Sequence, residues 1–134
     1  MTTTVFVPGD SGALAVGAEE TARAIADEAA RRGESVRLVR NGSRGMFWLE
    51  PLVEVQTAEG RIAYGPVDAD QVPELFDSGL LKGAAHALRL GLTEEIPWLA
   101  RQERLTYARV GITDPLSLED YAALDGFRGL TRAL

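Results

Sequence analysis

Cysteine is absent from the 134-residue chain, which removes disulfides, thiolate nucleophiles, thiolate-bound zinc and all-cysteine iron-sulfur clusters together. Redox work by side chains goes with it. Histidine occurs once, as His86, in a stretch rich in Ala and Leu. No second histidine or acid stands at metal-site spacing from it, so His86 reads as an ordinary surface or half-buried side chain. A basic excess is missing as well: 14 Lys and Arg face 20 Asp and Glu, a net charge of -6, divided as -2 over residues 1–67 and -4 over the rest. That balance argues against a phosphate backbone and against an anionic membrane surface. No apolar run is long enough for a membrane span, and the start, MTTTVFVP, lacks a basic segment followed by an apolar one. No nucleic acid and no membrane are expected as partners, and the cytoplasm is the expected compartment.

What is present suffices for a folded core. Leu, Ile, Val and Phe together fill 35 positions, above the range of disordered chains, and the length suits one core. Thr4–Val7 is β-branched and aromatic and is stopped by the turn formers Pro8-Gly9-Asp10-Ser11-Gly12, so a buried strand and a tight loop are predicted. From Ala13 to Arg32 the residues Ala18, Ala22, Ile25, Ala26 and Ala29 recur at helical spacing, with Arg31 and Arg32 in the last turn and Gly33 placed to end the helix. Ser35–Arg40 alternates as a strand, and this order favours a parallel crossover unit. Leu52–Thr57 and Arg61–Tyr64 read as a hairpin, and Asp68 caps a helix that runs through Leu75 and Phe76 to Gly79. The order β-α-β-β-β-α is thioredoxin-like. Leu80–Leu92, with two glycines, Gly83 and Gly91, reads as loop or broken helix. Thr93–Arg101 reads as a short helix with Pro97 in its first turn. Ser117 caps a last amphipathic stretch with Asp120 in the reciprocal position, interrupted by Gly126 and Gly129. A chain that ends on Arg-Ala-Leu with helical potential unspent is expected to be a fragment.

Most motifs have structural explanations. Gly9-Asp10-Ser11-Gly12 matches the nucleophile segment of trypsin-type proteases, but one histidine and a following helix exclude that context. Gly12 and Gly17 have the outer spacing of a phosphate loop, yet Ala18 and Glu19 stand where Lys and Ser or Thr are needed. A tight strand-to-helix turn explains these glycines. The acidic pairs Glu19-Glu20, Asp27-Glu28, Glu94-Glu95 and Glu119-Asp120 fit helix starts or solvated faces. Met46, Phe47 and Trp48 are different: one face of a helix or strand cannot hide all three. They either plug the domain's own core or anchor a partner protein.

Two blocks carry a resemblance. Pro8-Gly9-Asp10-Ser11-Gly12-Ala13 and Ser43-Arg44-Gly45-Met46-Phe47, followed by Glu50-Pro51-Leu52-Val53-Glu54-Val55, form the first. Tyr107-Ala108-Arg109-Val110-Gly111-Ile112-Thr113-Asp114-Pro115, continued to Tyr121 and by Gly126-Phe127-Arg128-Gly129-Leu130, forms the second. The chain resembles the N-terminal thioredoxin-like domain of the flavin-bearing diaphorase (beta) subunit of NAD-dependent formate dehydrogenases. That group is related to the NADH-oxidising flavin subunits of complex I and of NAD-linked hydrogenases.

In the thioredoxin-like ferredoxins of the group, two cysteine pairs with these spacings hold a [2Fe-2S] cluster. Here Pro8, Ala13, Ser43 and Phe47 replace all four ligands, which implies a cluster-less domain. The resemblance implies an α/β, four-stranded mixed sheet with flanking helices over residues 1–80. Residues 81–134 would be a linker and C-terminal helical extension leading into an FMN- and NADH-binding domain. No catalytic, cofactor-binding or metal residue is expected in the chain, whereas the parent subunit would carry FMN, NAD and a [4Fe-4S] cluster. Its partners would be other subunits of a multisubunit NAD-linked oxidoreductase, including a cluster-bearing thioredoxin-like one. Ser43, Arg44, Met46, Phe47 and Trp48 are the expected interface residues of a docking and assembly module. The corresponding domain of a complex I or hydrogenase subunit, or a stand-alone thioredoxin-fold binding module, are the alternatives.

Overall fold

The computed structural model describes residues Met1–Leu134. Thr3–Phe6 forms β1 and Val36–Val39 forms β2, parallel, with Val5 opposite Leu38. Val53–Gln56 (β3) and Arg61–Tyr64 (β4) make the predicted hairpin, Val55 opposite Ile62, and β3 lies antiparallel beside β1. The expectation of four strands is corrected to five: Arg89–Leu92 (β5) pairs antiparallel with β4, giving the order β2-β1-β3-β4-β5. The glycines that disguise this region each have a positional use. Gly79 and Gly83 take left-handed φ values of 95° and 70° around a single 3-10 turn, Leu80–Lys82. Gly91 (φ 96°) sits within β5 opposite the irregular register at Ala63 and Tyr64. The sheet therefore continues past residue 80.

The helix predicted over Ala13–Arg32 is two helices, Ser11–Leu14 (α1) and Ala18–Arg32 (α2). Gly17, at φ 99°, breaks them apart, and Gly33, at φ 69°, ends α2 as its position requires. Val72–Ser78 (α3) follows one 3-10 turn at Ala69–Gln71, where the Asp68 N–H donates to Gln71 Oε1 at 3.0 Å. Of the helical positions read in α2, Ala18, Ala22, Ile25 and Ala29 pack with Val72, Leu75 and Phe76 of α3 on one face of the sheet, whereas Ala26 is exposed. That face presents Val5, Val7, Val53, Val55, Ile62 and Tyr64. Thr21 Oγ1 donates to Val67 O at 2.8 Å and Tyr64 Oη to Ala84 O at 2.6 Å, so the polar atoms entering this core are matched.

Glu28 departs from the solvated-face reading. It is buried at the α2–α3 seam, where Arg31 and Arg32 donate to it at 2.5 to 2.8 Å and Arg32 also pairs with Asp77 of α3 at 2.7 Å. The Arg31 hydrogen bond chiefly holds its carboxyl down at about 2, against the opposing effect of burial.

The second face of the sheet carries Phe6, Glu54 and Ala63, alternating with the core residues. Part of it is closed by a small cluster, Met46, Leu52, Ala63 and Leu99, the last from Pro97–Ala100 (α4). The C-terminal segment carries Leu118–Ala123 (α5) and Arg128–Ala133 (α6), neither of which buries a residue, and borders this face beside Phe6 and Arg61 through Ile112, Asp120 and Leu124. Ser117 Oγ accepts from the Asp120 N–H at 3.1 Å as predicted. Asp120 does not reciprocate: its carboxylate accepts from the Asp114 N–H at 3.0 Å, tying the loop to α5. No helix is long and apolar enough to cross a membrane.

Ile25 is fully buried between α2 and the sheet. Ile25→Ala is expected to lower unfolding free energy by about 2–5 kcal/mol, seen as a reduced urea midpoint at unchanged m value.

Candidate functional site

The loops after β1 and β2 meet at one end of the sheet. The Gly9 N–H donates to Asn41 O at 2.9 Å, and Arg40 reaches back to Val7 O and Pro8 O, both at 3.1 Å, while pairing with Glu19 at 2.6 Å. Asp10 joins the loops with both carboxylate oxygens. Oδ1 accepts from the Ala13 N–H at 3.1 Å, capping α1, and Oδ2 accepts from the Ser43 N–H at 2.5 Å. Ser43 Oγ donates to Glu50 Oε1 at 2.8 Å and accepts from the Gly45 N–H at 3.0 Å, and Glu50 Oε2 accepts from the Leu52 N–H at 2.9 Å. Burial pushes the Glu50 carboxyl above the usual carboxylate range; the Leu52 and Ser43 hydrogen bonds oppose the rise, and the nearby Asp10 and Glu54 charges add to it.

Behind this end lies a buried ionic cluster on the second face. Glu54, 1% exposed in the middle of β3, accepts from Arg44 Nη2 at 3.0 Å and Asn41 Nδ2 at 3.1 Å, with Arg61 Nη1 at 3.7 Å. The Arg44 guanidinium also pairs with Glu94 at 2.9 Å. Arg61 lies 3.5 Å from the centroid of the Phe6 ring and donates to Gly111 O at 3.0 Å and Ile112 O at 2.7 Å. Asn41 Nδ2 donates to Gly111 O too, at 2.8 Å. Burial draws the Arg61 guanidinium down from its ordinary value, and Glu54 pulls it back up.

The expected interface residues separate by burial. Met46 is fully buried, a plug of the small second cluster, and Arg44, 2% exposed, belongs to the ionic cluster. Phe47 and Trp48, on a one-turn 3-10 helix Phe47–Leu49, are 65% and 59% exposed. Of the three consecutive large side chains, Met46 plugs the domain's own core and Phe47 and Trp48 stand exposed. Trp48 meets Trp98 of α4 edge to face, ring centroids 5.3 Å apart. Phe47 borders an open cavity of about 690 Å³ with Ser43, Leu105, Tyr107 and Val110. The sequence reading passed over Trp98, Asn41, Glu54 and Arg61; a charge flanked by valines in β3 signals only a polar strand face. His86 is half-buried, its Nδ1 accepting from the Leu88 N–H at 3.1 Å and its Nε2 lying 3.5 Å from Glu74.

No family model and no curated protein matches the sequence. Solved structures do. The wild-type thioredoxin-like [2Fe-2S] ferredoxin from Aquifex aeolicus superposes with TM-score 0.54 at 19% identity, covering 67% of this chain and 97% of the ferredoxin. A cysteine-to-serine variant of it gives 0.51 at 19%, with coverages of 66% and 98%. The fold is thioredoxin-like, with a five-stranded mixed sheet, and C-terminal helices are added to it.

The four positions that the resemblance equates with cluster ligands do not fit a cluster. Pro8 and Ala13 are buried without donor atoms, the Ser43 hydroxyl is engaged with Glu50 and Gly45, and the Phe47 ring lies 3.2 Å from where a Cβ on Gly12 would be. No group of three or more metal-binding side chains exists in the chain. Hydrogen bonds of Arg40, Asp10 and the Gly9–Asn41 backbone join the two loops at this pole.

Because the folded state holds Glu50 with a raised pKa, it binds more protons than the unfolded chain between the two values. Stability contributed at this site therefore falls as pH rises through that window. Glu50→Gln is expected to gain stability over wild type most at about pH 7, with the gap closing below about pH 4. Thermal midpoints of both proteins across that range check this. A gap that does not change with pH contradicts it.

Proposed function

We propose that this chain is the N-terminal docking and assembly domain of the diaphorase (beta) subunit of an NAD-dependent formate dehydrogenase, and is not itself redox-active. The observation that carries the reading is the pole. In a fold shared with a [2Fe-2S] ferredoxin, Pro8, Ala13, Ser43 and Phe47 stand at the positions that the resemblance assigns to the cluster ligands, and large aromatic side chains stand exposed at the same pole. Electron transfer belongs to that fold's cluster, and a domain without ligands retains shape. Phe47, Trp48 and Trp98 present rigid, amphipathic surface from two separate segments, the composition from which protein-binding hot spots are made.

Within this reading, FMN, NAD and a [4Fe-4S] cluster belong to the rest of the subunit. The residues after the sheet lead into its flavin domain, and the partner at the pole is a cluster-bearing thioredoxin-like subunit of the same cytoplasmic complex. The complex I and hydrogenase flavin subunits share the resemblance, and the module serves the same role in either.

Replacing Phe47 and Trp48 together with Ser tests the assignment. Recovery of the assembled complex is expected to fall about 30-fold, the effect of a hot-spot loss of about 2 kcal/mol. The circular dichroism of the free protein should stay unchanged, because both side chains are exposed. Undiminished assembly would sink the docking role.

A further inference from the structure

After Arg101 the chain leaves the body of the domain and returns to it chiefly around Gly111 and Ile112. Residues 102–134 are tied to one another: Arg109 donates to Leu124 O at 2.6 Å, Asp120 accepts from the Asp114 N–H, and the Tyr121 and Phe127 rings meet edge to face with centroids 5.0 Å apart. Among them only Gly111 is buried. It sits in a socket of Asn41, Arg44 and Arg61. At φ 82°, with the Arg44 Nε 2.8 Å from where a Cβ would be, the socket admits glycine alone.

The tethers that seat this segment are side-chain-to-backbone hydrogen bonds: Asn41 and Arg61 to Gly111 O, Arg61 to Ile112 O, and Arg104 Nη2 to Arg44 O at 3.0 Å. Between the segment and the sheet remains a cavity of about 270 Å³ bordered by Phe6, Arg37, Arg61, Ile112 and Leu124. A segment held by a few polar tethers over loose packing opens locally before the sheet unfolds.

Arg44 is the residue these features share. Its carbonyl accepts from Arg104, its side chain lines the Gly111 socket, and its backbone lies in the loop between Ser43 and Gly45 at the pole.

We propose that residues 102–134 form a latched arm that swings off the second sheet face as one unit, and that Arg44 couples the arm's seating to the order of the loop carrying Phe47 and Trp48. When the arm leaves, that loop loses the Arg104 bond to its backbone and the packing of Gly111 on Arg44. The aromatic contact surface then loosens with it. The regulation of docking rests on the assembly reading above, whereas the opening of the arm does not.

Residue-level hydrogen exchange on the full chain tests the proposal without any partner. In wild type, the Val110, Ile112 and Tyr121 amides, bonded within the arm, are expected to exchange through an opening at least 100-fold more populated than the one that exposes Val7, bonded to Val39 in the sheet. Gly111→Ala should raise exchange of those arm amides and of Gly45 at least tenfold and leave Val7 within threefold. Arm and sheet amides that open together in wild type would overturn the latch, and this comparison needs no variant to fold. A uniform loss of protection in Gly111→Ala would do the same. An unchanged Gly45 would overturn the coupling. None of these outcomes bears on whether Phe47 and Trp48 bind a subunit.

Discussion

A carboxylate buried in the middle of a sheet must be neutralised or it will not stay there. Glu54 is placed on β3 between β1 and β4, with hydrophobic residues on either side of it in the chain. An unpaired ion in that position costs several kcal/mol. The structure meets the demand from three directions: Arg44 from the loop after β2, Asn41 at the end of β2, and Arg61 from the start of β4. Two of those partners, Asn41 and Arg61, have donors left over and spend them on the carbonyls of Gly111 and Ile112. The position of the C-terminal segment is therefore a consequence of the charge in the sheet. The loop that carries Phe47 and Trp48 is positioned by the same charge, because Arg44 belongs to it.

The two faces of the sheet are built on different physics. One is an apolar contact between β-branched strand residues and the small-residue stripe of α2, where stability scales with buried area. The other is an ionic cluster with a small apolar cap, where stability depends on every charge keeping its partner. A scaffold of this kind holds one face rigidly and leaves the other open to rearrangement. At the pole, hydrogen bonds accepted by Asp10 and donated by Arg40 connect the loops after β1 and β2.

The apolar face was legible from the sequence because its signals are local. Helical spacing in α2, left-handed glycine at 33 and alternation in the strands each point to the same answer, and the parallel crossover follows from chain order. β5 was not legible, since it is four residues long with Gly91 inside it, and the left-handed φ values that explain Gly79, Gly83 and Gly91 exist only in the fold. Arg44 and Met46 sat in a segment whose composition suggests contact with a partner, and tertiary burial claimed both. Glu28 was hidden for a related reason: its arginine partners lie three and four residues away, but the α3 helix that buries it is distant in the chain. The ionic cluster needed the C-terminal segment to return over the sheet. No periodicity records that return, though Gly111 already stood within a motif that marks the resemblance.

The account stands on the coupling between Glu54 and the cations around it, and a double-mutant cycle on the Glu54–Arg44 pair measures it directly. Glu54→Gln and Arg44→Met should each cost about 3–5 kcal/mol in urea unfolding, because each removes the nearest opposite charge of a buried group, leaving Arg44 only the exposed Glu94 and Glu54 only Asn41 and the more distant Arg61. The double variant should be less destabilised than the sum by about 2 kcal/mol or more. Losses that add to within about 0.5 kcal/mol would mean that the two groups act independently, and the buried carboxylate would no longer explain where the loop and the C-terminal segment sit.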